Sequence, residues 1–396
     1  MTTEIKIHCV CAAAVVLLSS STIACAQSTV TLYGLIDEGV TMVNNSGGKH
    51  QYLVNSGIMQ GNRWGMKGSE ELGGGMKAIF RIEGGYDAST GKLGQGGLGF
   101  GRQAYVGLES TYGTVTFGRM YDSVVDFLGP LEAGTQWATS IGTHPGDIDN
   151  FNNSFRVNNA VKYASPTIHG FTFDGLYSLG GVSGDLSRNQ IWSVGGQYAS
   201  GPLVLSAAYI NVRNPNVSYF GNSTSGTPNT TTSNAVSAVY SGYGSAHTYQ
   251  VAAAGGAYAL GAATIGATYS NIKFYDLGSS YASAFSGRTA TFNNVEANFK
   301  YQLTPALLLG LAYDYLCGTS VNGSSAAKYH QGMTGLDYFL SKRTDVYITA
   351  QYQHASGYGA NPAGTGVVAV VAALPNVTAS ATQNQFAARV GIRHKF

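Results

Sequence analysis

The sequence predicts an all-β fold, a 16-stranded antiparallel transmembrane β-barrel, and three observations carry that prediction. The first is composition. Charged residues make up 11% of the chain, where about 25% is usual, while 54 glycines, 26 tyrosines and 16 phenylalanines accompany only 3 tryptophans. Mean hydropathy is close to zero, and beyond the N-terminal region no apolar run approaches the ~20 residues a membrane helix needs. The second is period-2 alternation along most of the chain. The third is an asymmetry of connections, short turns alternating with long polar loops. Half of each strand in such a barrel faces lipid and half faces water, which gives this composition and this period together. The net charge of +2 is too small to argue for nucleic acid.

The first stretch, MTTEIKIHCVCAAAVVLLSSSTIACAQ, carries Lys6, an apolar run from Val10 to Leu18, and Ala24 and Ala26 flanking Cys25. That pattern predicts a signal peptide over residues 1–26, cleaved near Ala26, because the apolar run is too short to span a membrane. A lipoprotein cut before Cys25 is the rival, and Thr22 stands where such signals carry a large aliphatic residue. Cys9, Cys11 and Cys25 leave with the signal, so Cys317 remains alone and no internal disulfide framework is possible. The remaining roughly 370 residues exceed one ordinary hydrophobic core, and a single closed sheet over residues 27–396 accommodates them.

The strands follow in order from their alternation and turns. In NVEANFKYQL, Val295, Ala297, Phe299, Tyr301 and Leu303 alternate with Asn294, Glu296, Asn298, Lys300 and Gln302. In TDVYITAQYQ, Val346, Ile348, Ala350 and Tyr352 alternate with polar neighbours, and the chain ends on QFAARVGIRHKF, where Phe386, Ala388, Val390, Ile392, His394 and Phe396 form the apolar row. Alternation alone also suits a soluble sandwich. The connections decide: short turns at ELGGGMK, STYGTV, SPTIHG, ASGPLV, YALGAAT, QLTPAL and LSKRTD alternate with long loops rich in Gly, Asn and Ser. Seven such turns join fourteen strands, and TVTLYGLID and the C-terminal segment add one each. Sixteen strands enclose an aqueous channel, and closure leaves no backbone amide unpaired in lipid.

Strand parity then sorts the charges. Trp64 and Met66 on the lipid side leave Arg63 and Lys67 inside; Met76, Ala78, Phe80 and Ile82 leave Lys77, Arg81 and Glu83 inside; Val157, Asn159, Val161 and Tyr163 leave Arg156 and Lys162 inside. An unpaired Arg on the lipid face would cost roughly 2–4 kcal/mol near mid-bilayer. Between Met120 and Asn150, Asp122, Asp126, Glu132, Asp147 and Asp149 are dense for so charge-poor a chain.

VTLYGLID, RWGMKGSEELGGGMKAIFRIEGGYD, RQAYVGLESTYGTVTFGRMYDSVVDFLGPL, RVNNAVKYASP and the terminal Phe396 resemble the trimeric general porins of Gram-negative outer membranes, of β-proteobacterial type. The resemblance runs through nearly the whole mature chain. It implies a homotrimer with one pore per subunit, set among outer-membrane lipid and lipopolysaccharide, and a third outer loop folded into the lumen as a constriction. It also implies that Phe396 is read by the barrel-assembly machinery, and that small hydrophilic solutes and ions diffuse through passively. It marks Arg63, Arg102 and Arg156 as the basic cluster, with Arg119 at the mouth of the third loop. Lys77 and Arg81 join this basic side by parity, and Asp122, Asp126 and Glu132 are expected to oppose it. A weak preference for anions follows if the arginines dominate. A substrate-specific channel on the same scaffold is the alternative. An outer-membrane barrel enzyme is more remote, since no residue is marked as a nucleophile.

The G-x-G-x-x-G match at Gly94 to Gly99 follows no parallel strand and opens no helix, so it reads as an outer loop. The eight histidines include no H-E-x-x-H, and neither a metal nor a cofactor is expected. Two features fit poorly. Glu38 falls in the lipid-facing row of the first strand, which puts it at a subunit interface, near the rim, or after a bulge that flips the phase. The run VVAVVAALP (Val367 to Pro375) sets a bare apolar stretch inside an expected outer loop.

Overall fold

The computed structural model describes residues 28–223, 232–320 and 323–396. The expected signal segment, with Lys6, Cys25 and Ala26, lies outside the described residues. Among the described residues no helix is long and apolar enough to cross a membrane, and the crossing elements are strands. These are β1 (Thr29–Ser46), β2 (Lys49–Ser56), β3 (Arg63–Gly73), β4 (Met76–Gly85), β5 (Gln103–Ser110), β6 (Gly113–Met120), β7 (Val157–Ala164) and β8 (Phe171–Ser178). There follow β9 (Ile191–Ser200), β10 (Leu203–Arg213), β11 (Thr248–Leu260), β12 (Ala263–Tyr275), β13 (Ala290–Thr304), β14 (Leu307–Gly318), β15 (Lys328–Phe339) and β16 (Thr344–Ser356). A small hairpin of β17 (Tyr358–Ala360) and β18 (Val367–Ala369) precedes the last barrel strand, β19 (Asn384–Lys395).

Each barrel strand pairs antiparallel with its neighbours, and β19 closes onto β1 from Leu35 opposite Lys395 to Val43 opposite Ala387. The segments β2 and β3 together form one wall strand, because β2 pairs with the later half of β1 and β3 with the earlier half. The barrel is therefore 16-stranded and closed, with β2 and β3 counted as one. The seven expected short turns are the β3–β4, β5–β6, β7–β8, β9–β10, β11–β12, β13–β14 and β15–β16 connections. The first of them needs its glycines, since Gly73, Gly74 and Gly75 all hold positive φ.

Alternation maps onto the two faces. Val30, Leu32, Ile36 and Val40 of β1 are exposed on the outside, while Asp37 and Thr41, of the opposite parity, are enclosed. The β1–β19 ladder runs without a bulge past Glu38, so no phase flip explains that residue: it stays in the outward row and accepts a hydrogen bond from Ser89 Oγ at 3.1 Å. A bulge does occur in β7. Asn159 adopts φ 51° and the β6–β7 register shifts there, so Val157, expected on the lipid side, turns inward and is fully buried. Arg389, between Ala388 and Val390 of the outward row, is enclosed: Nε donates to Tyr347 Oη at 2.7 Å and Nη1 to Thr41 Oγ1 at 3.0 Å, while Tyr347 donates to Asp37 at 2.6 Å.

Among the described residues, these three segments turn inward. The β6–β7 connection crosses to the opposite wall. There Asn298 Nδ2 donates to Leu131 O, Gln351 Nε2 to Ala138 O and Gln331 Nε2 to Thr143 O, each at 2.8 Å. Residues 57–62, between β2 and β3, follow it inward, and Ser140 N donates to Ile58 O at 2.7 Å. The apolar run Val367 to Pro375 is the third. Ala372, Ala373 and Leu374 are buried, and the last two donate backbone N–H groups to Gln353 and Gln385 on the wall. Burial against Val43, Ile58 and Ile141 explains why Leu374, in a nominal outer loop, is apolar.

The C-terminal aromatic is paired rather than frayed. Phe396 exchanges backbone hydrogen bonds with Gly34 at 3.0 and 3.1 Å. Its ring lies over Gly34 so closely that a Cβ there would sit 2.4 Å from Phe396 Cζ.

Candidate functional site

Four arginines reach the lumen from four successive places on one wall. Arg63 starts β3, Arg102 precedes β5, Arg119 lies near the end of β6, and Arg156 precedes β7. All four line a cavity of about 1380 Å³ bounded by the three inward segments and by parts of the β4–β5 and β10–β11 connections. The carboxylates lining the same space are Asp87 and Asp147. Like charges gathered this closely need holding, and the surrounding acceptors do so. Arg102 Nε donates to Glu83 Oε1 at 2.7 Å and Nη2 to Tyr121 Oη at 2.9 Å. Glu83 also accepts from Tyr33 Oη at 2.7 Å.

Arg119 is held by neutral oxygens, with Nε on Gly101 O at 2.8 Å and Nη1 on Asn222 Oδ1 at 2.6 Å and on Asn158 Oδ1. Arg63 Nε donates to Gly61 O at 2.9 Å, so the 57–62 excursion also aims that side chain. Arg156 lies with its guanidinium 5.9 Å from the Tyr121 ring centre, donates Nη1 to Ser154 O at 3.0 Å, and leaves Nε without a hydrogen bond among the described residues. Burial, then repulsion from Arg102, lowers its pKa, but a guanidinium stays charged at neutral pH. One carboxylate, Glu83, is therefore shared within the cluster, and positive charge is left over.

Other expected site residues lie elsewhere. Lys77 sits beside the β3–β4 turn, paired with Glu71 at 2.9 Å and away from the cavity lining. Arg81 packs over Tyr33, 5.7 Å from its ring centre, and is likewise outside the lining set. Asp122 is fully buried and caps the helical turn Ser123–Phe127, accepting from Val124 N at 2.9 Å and Val125 N at 3.1 Å. Asp126 pairs with Lys162, which also reaches Asp174 at 2.8 Å. Glu132 accepts from His144 N at 2.8 Å and is fully enclosed. The structure thus joins Arg63, Arg102, Arg119 and Arg156 into one cluster and turns Asp122, Asp126 and Glu132 toward partners inside the loop or on the wall.

The acidic residue that does line the cavity, Asp147, is one of the loop carboxylates the sequence made conspicuous without ranking it. It accepts from Asn152 N at 2.9 Å and Ser154 N at 3.0 Å. Burial, then the neighbouring Asp149, pushes its carboxyl up to about 7. Asp87 and Tyr121 had no signal beyond their place in loops. Four fixed positive side chains around one cavity set up a field that attracts mobile anions.

The sequence matches the Gram-negative porin family over residues 12–358. It is similar to an outer membrane porin protein of Bordetella pertussis, 31% identical over 50% of this chain and 57% of that protein. It is also similar to outer membrane porin protein 32 of Delftia acidovorans, 32% identical over 40% of this chain and 46% of that one. The chain spans about half the length of these curated relatives. In fold it is similar to an anion-selective porin from Comamonas acidovorans, with a TM-score of 0.71 at 23% identity, covering 93% of this chain and 100% of that one. A second barrel of the same form is the outer-membrane-expressed OmpT of Vibrio cholerae, with a TM-score of 0.61 at 15% identity, covering 93% of this chain and 98% of that one. A closed 16-stranded barrel with a family match across most of the sequence leads to one assignment: this chain belongs to the Gram-negative porin family and is an outer-membrane protein.

Proposed function

We propose that the chain forms a water-filled channel for passive diffusion of small hydrophilic solutes and ions, with a weak preference for anions. The observation that carries this reading is the lining of the lumen cavity, four arginines against two aspartates. The name of the Comamonas structure, an anion-selective porin, agrees with it. Arg63, Arg102, Arg119 and Arg156 are the selecting residues, with Glu83 and Tyr121 positioning them.

The working form is a homotrimer with one pore per subunit, set among outer-membrane lipid and lipopolysaccharide. Residues 1–26 direct export and are cleaved near Ala26, and Phe396 is the part of β19 that the barrel-assembly machinery reads. Single-channel recording of the purified protein tests the whole reading. Conductance in three equal steps with a positive-lumen reversal potential supports it. Saturable block by one solute class would favour the substrate-specific alternative, and closed, non-conducting barrels would overturn both.

A further inference from the structure

The inward loop meets the far wall at a second polar cluster that the pore mechanism does not use. His144 of the loop is fully buried, and its Nδ1 lies 2.7 Å from Asp149 Oδ2. That partner fixes the ring with its proton on Nδ1 and turns the Nε2 lone pair the other way. Facing Nε2, each at 3.7 Å, are Glu296 Oε2 from β13 and Asp314 Oδ1 from β14, both side chains fully enclosed. Thr268 Oγ1 stands 3.5 Å from the same nitrogen. The three donor atoms lie within 4.8 Å of one another.

The wall carboxylates are pre-aimed. Glu296 Oε1 is occupied by Ala133 N at 2.8 Å and Asn298 Nδ2 at 2.7 Å, and Asp314 Oδ1 accepts from Asn294 Nδ2 at 2.7 Å. Glu296 Oε2 and Asp314 Oδ2 accept no hydrogen bond among the described residues. Two buried carboxylate oxygens thus stand beside the imidazole with no donor of their own among the described residues. Ordinary Zn–N and Zn–O lengths near ~2.0 Å place tetrahedral donors roughly 3.3 Å apart, a few tenths of an ångström inside the 3.7 Å separations here.

We propose that His144, Glu296 and Asp314 form a divalent metal site, best suited to Zn²⁺, which fastens the inward loop to the barrel wall. One imidazole with two carboxylates suits a borderline cation such as Zn²⁺ better than the all-oxygen octahedral shell of Mg²⁺. Asp149 is a positioning residue that orients the histidine. The ligands come from residues 144, 296 and 314, so no local spacing motif announces them.

The test uses the folded protein purified from membranes, stripped with EDTA, then dialysed against Zn²⁺ or Co²⁺. One metal ion per chain should be retained, and the Co²⁺ form should show the strong visible absorption of a four- or five-coordinate ion. E296Q, confirmed folded by heat-dependent gel mobility, should lower Zn²⁺ affinity at least ~10-fold. D149N keeps all three ligands and should lower it about 10–100-fold. H330Q/H354Q, altering the half-buried histidine pair of β15 and β16, should retain the ion. No retained metal in the wild type, the pale spectrum of aqueous Co²⁺, or unchanged affinity in D149N would each overturn the site. The wild-type spectrum and D149N decide the matter even if E296Q fails to fold.

Discussion

Arg102 donates from Nε to Glu83 Oε1 at 2.7 Å, with both side chains almost withdrawn from solvent. This pair governs selectivity, because Glu83 is the carboxylate that, among the described residues, hydrogen-bonds the arginine cluster. E83Q keeps the shape and removes the charge. It should lower stability by about 1.5–3 kcal/mol, the range for a hydrogen bond to a charged group, while raising the anion-to-cation permeability ratio. Chemical unfolding and reversal potentials on the same preparation check both signs. A fall in the ratio would mean that Glu83 acts on the pore in some other way.

Trp137 of the inward loop lies against Gly310 of β14, where a Cβ would come within 2.0 Å of indole Cδ2. G310A should therefore displace the loop, at an overpacking cost of roughly 1–3 kcal/mol, and change single-channel conductance. In a W137A background the same substitution should cost little, because the clash is gone. A G310A channel indistinguishable from wild type would show that the loop does not depend on this contact.

Asp147 supplies a pH dependence with a definite sign. Its folded pKa, about 7, lies above the ordinary carboxylate value, so protonation favours the folded loop and its stability contribution grows as pH falls through that value. The same protonation removes a negative charge from the lumen while the arginines stay charged. Anion preference should rise as pH drops from 8 to 6, and D147N should hold the low-pH value throughout. A step of equal size in D147N would assign the titration to another group.

Deleting Phe396 removes two backbone hydrogen bonds and the ring over Gly34. Assembly into heat-modifiable barrels should fall sharply, while any channels that form should conduct nearly as wild type. G34A should impair assembly too, because its methyl group would occupy the ring's place. Normal yields from both variants would remove the C-terminal residue from the account.

Much of the fold was legible because lipid on one side and water on the other impose a two-residue period, and the seven short turns gave the strand count. Parity failed at Val157 because one residue in the left-handed region, Asn159, shifts the register, and nothing local to the sequence marks that bulge. That Arg63, Arg102, Arg119 and Arg156 would gather on one side was legible, and the structure sets all four around one cavity. The acidic half was not legible. Whether Asp122 faces a pore or caps a helix depends on which way the loop folds, and Glu132 was drawn away by His144, twelve residues later. Lys77 had the right parity but stands too near the turn, since parity gives a face and no height.

The most direct test of the central claim is the reversal potential of planar bilayers carrying the purified protein in a KCl gradient, for wild type and for R63Q/R102Q/R156Q. The account predicts anion preference in the wild type and its loss or inversion in the triple variant. Cation preference in the wild type, or an unchanged ratio in a conducting triple variant, would contradict it.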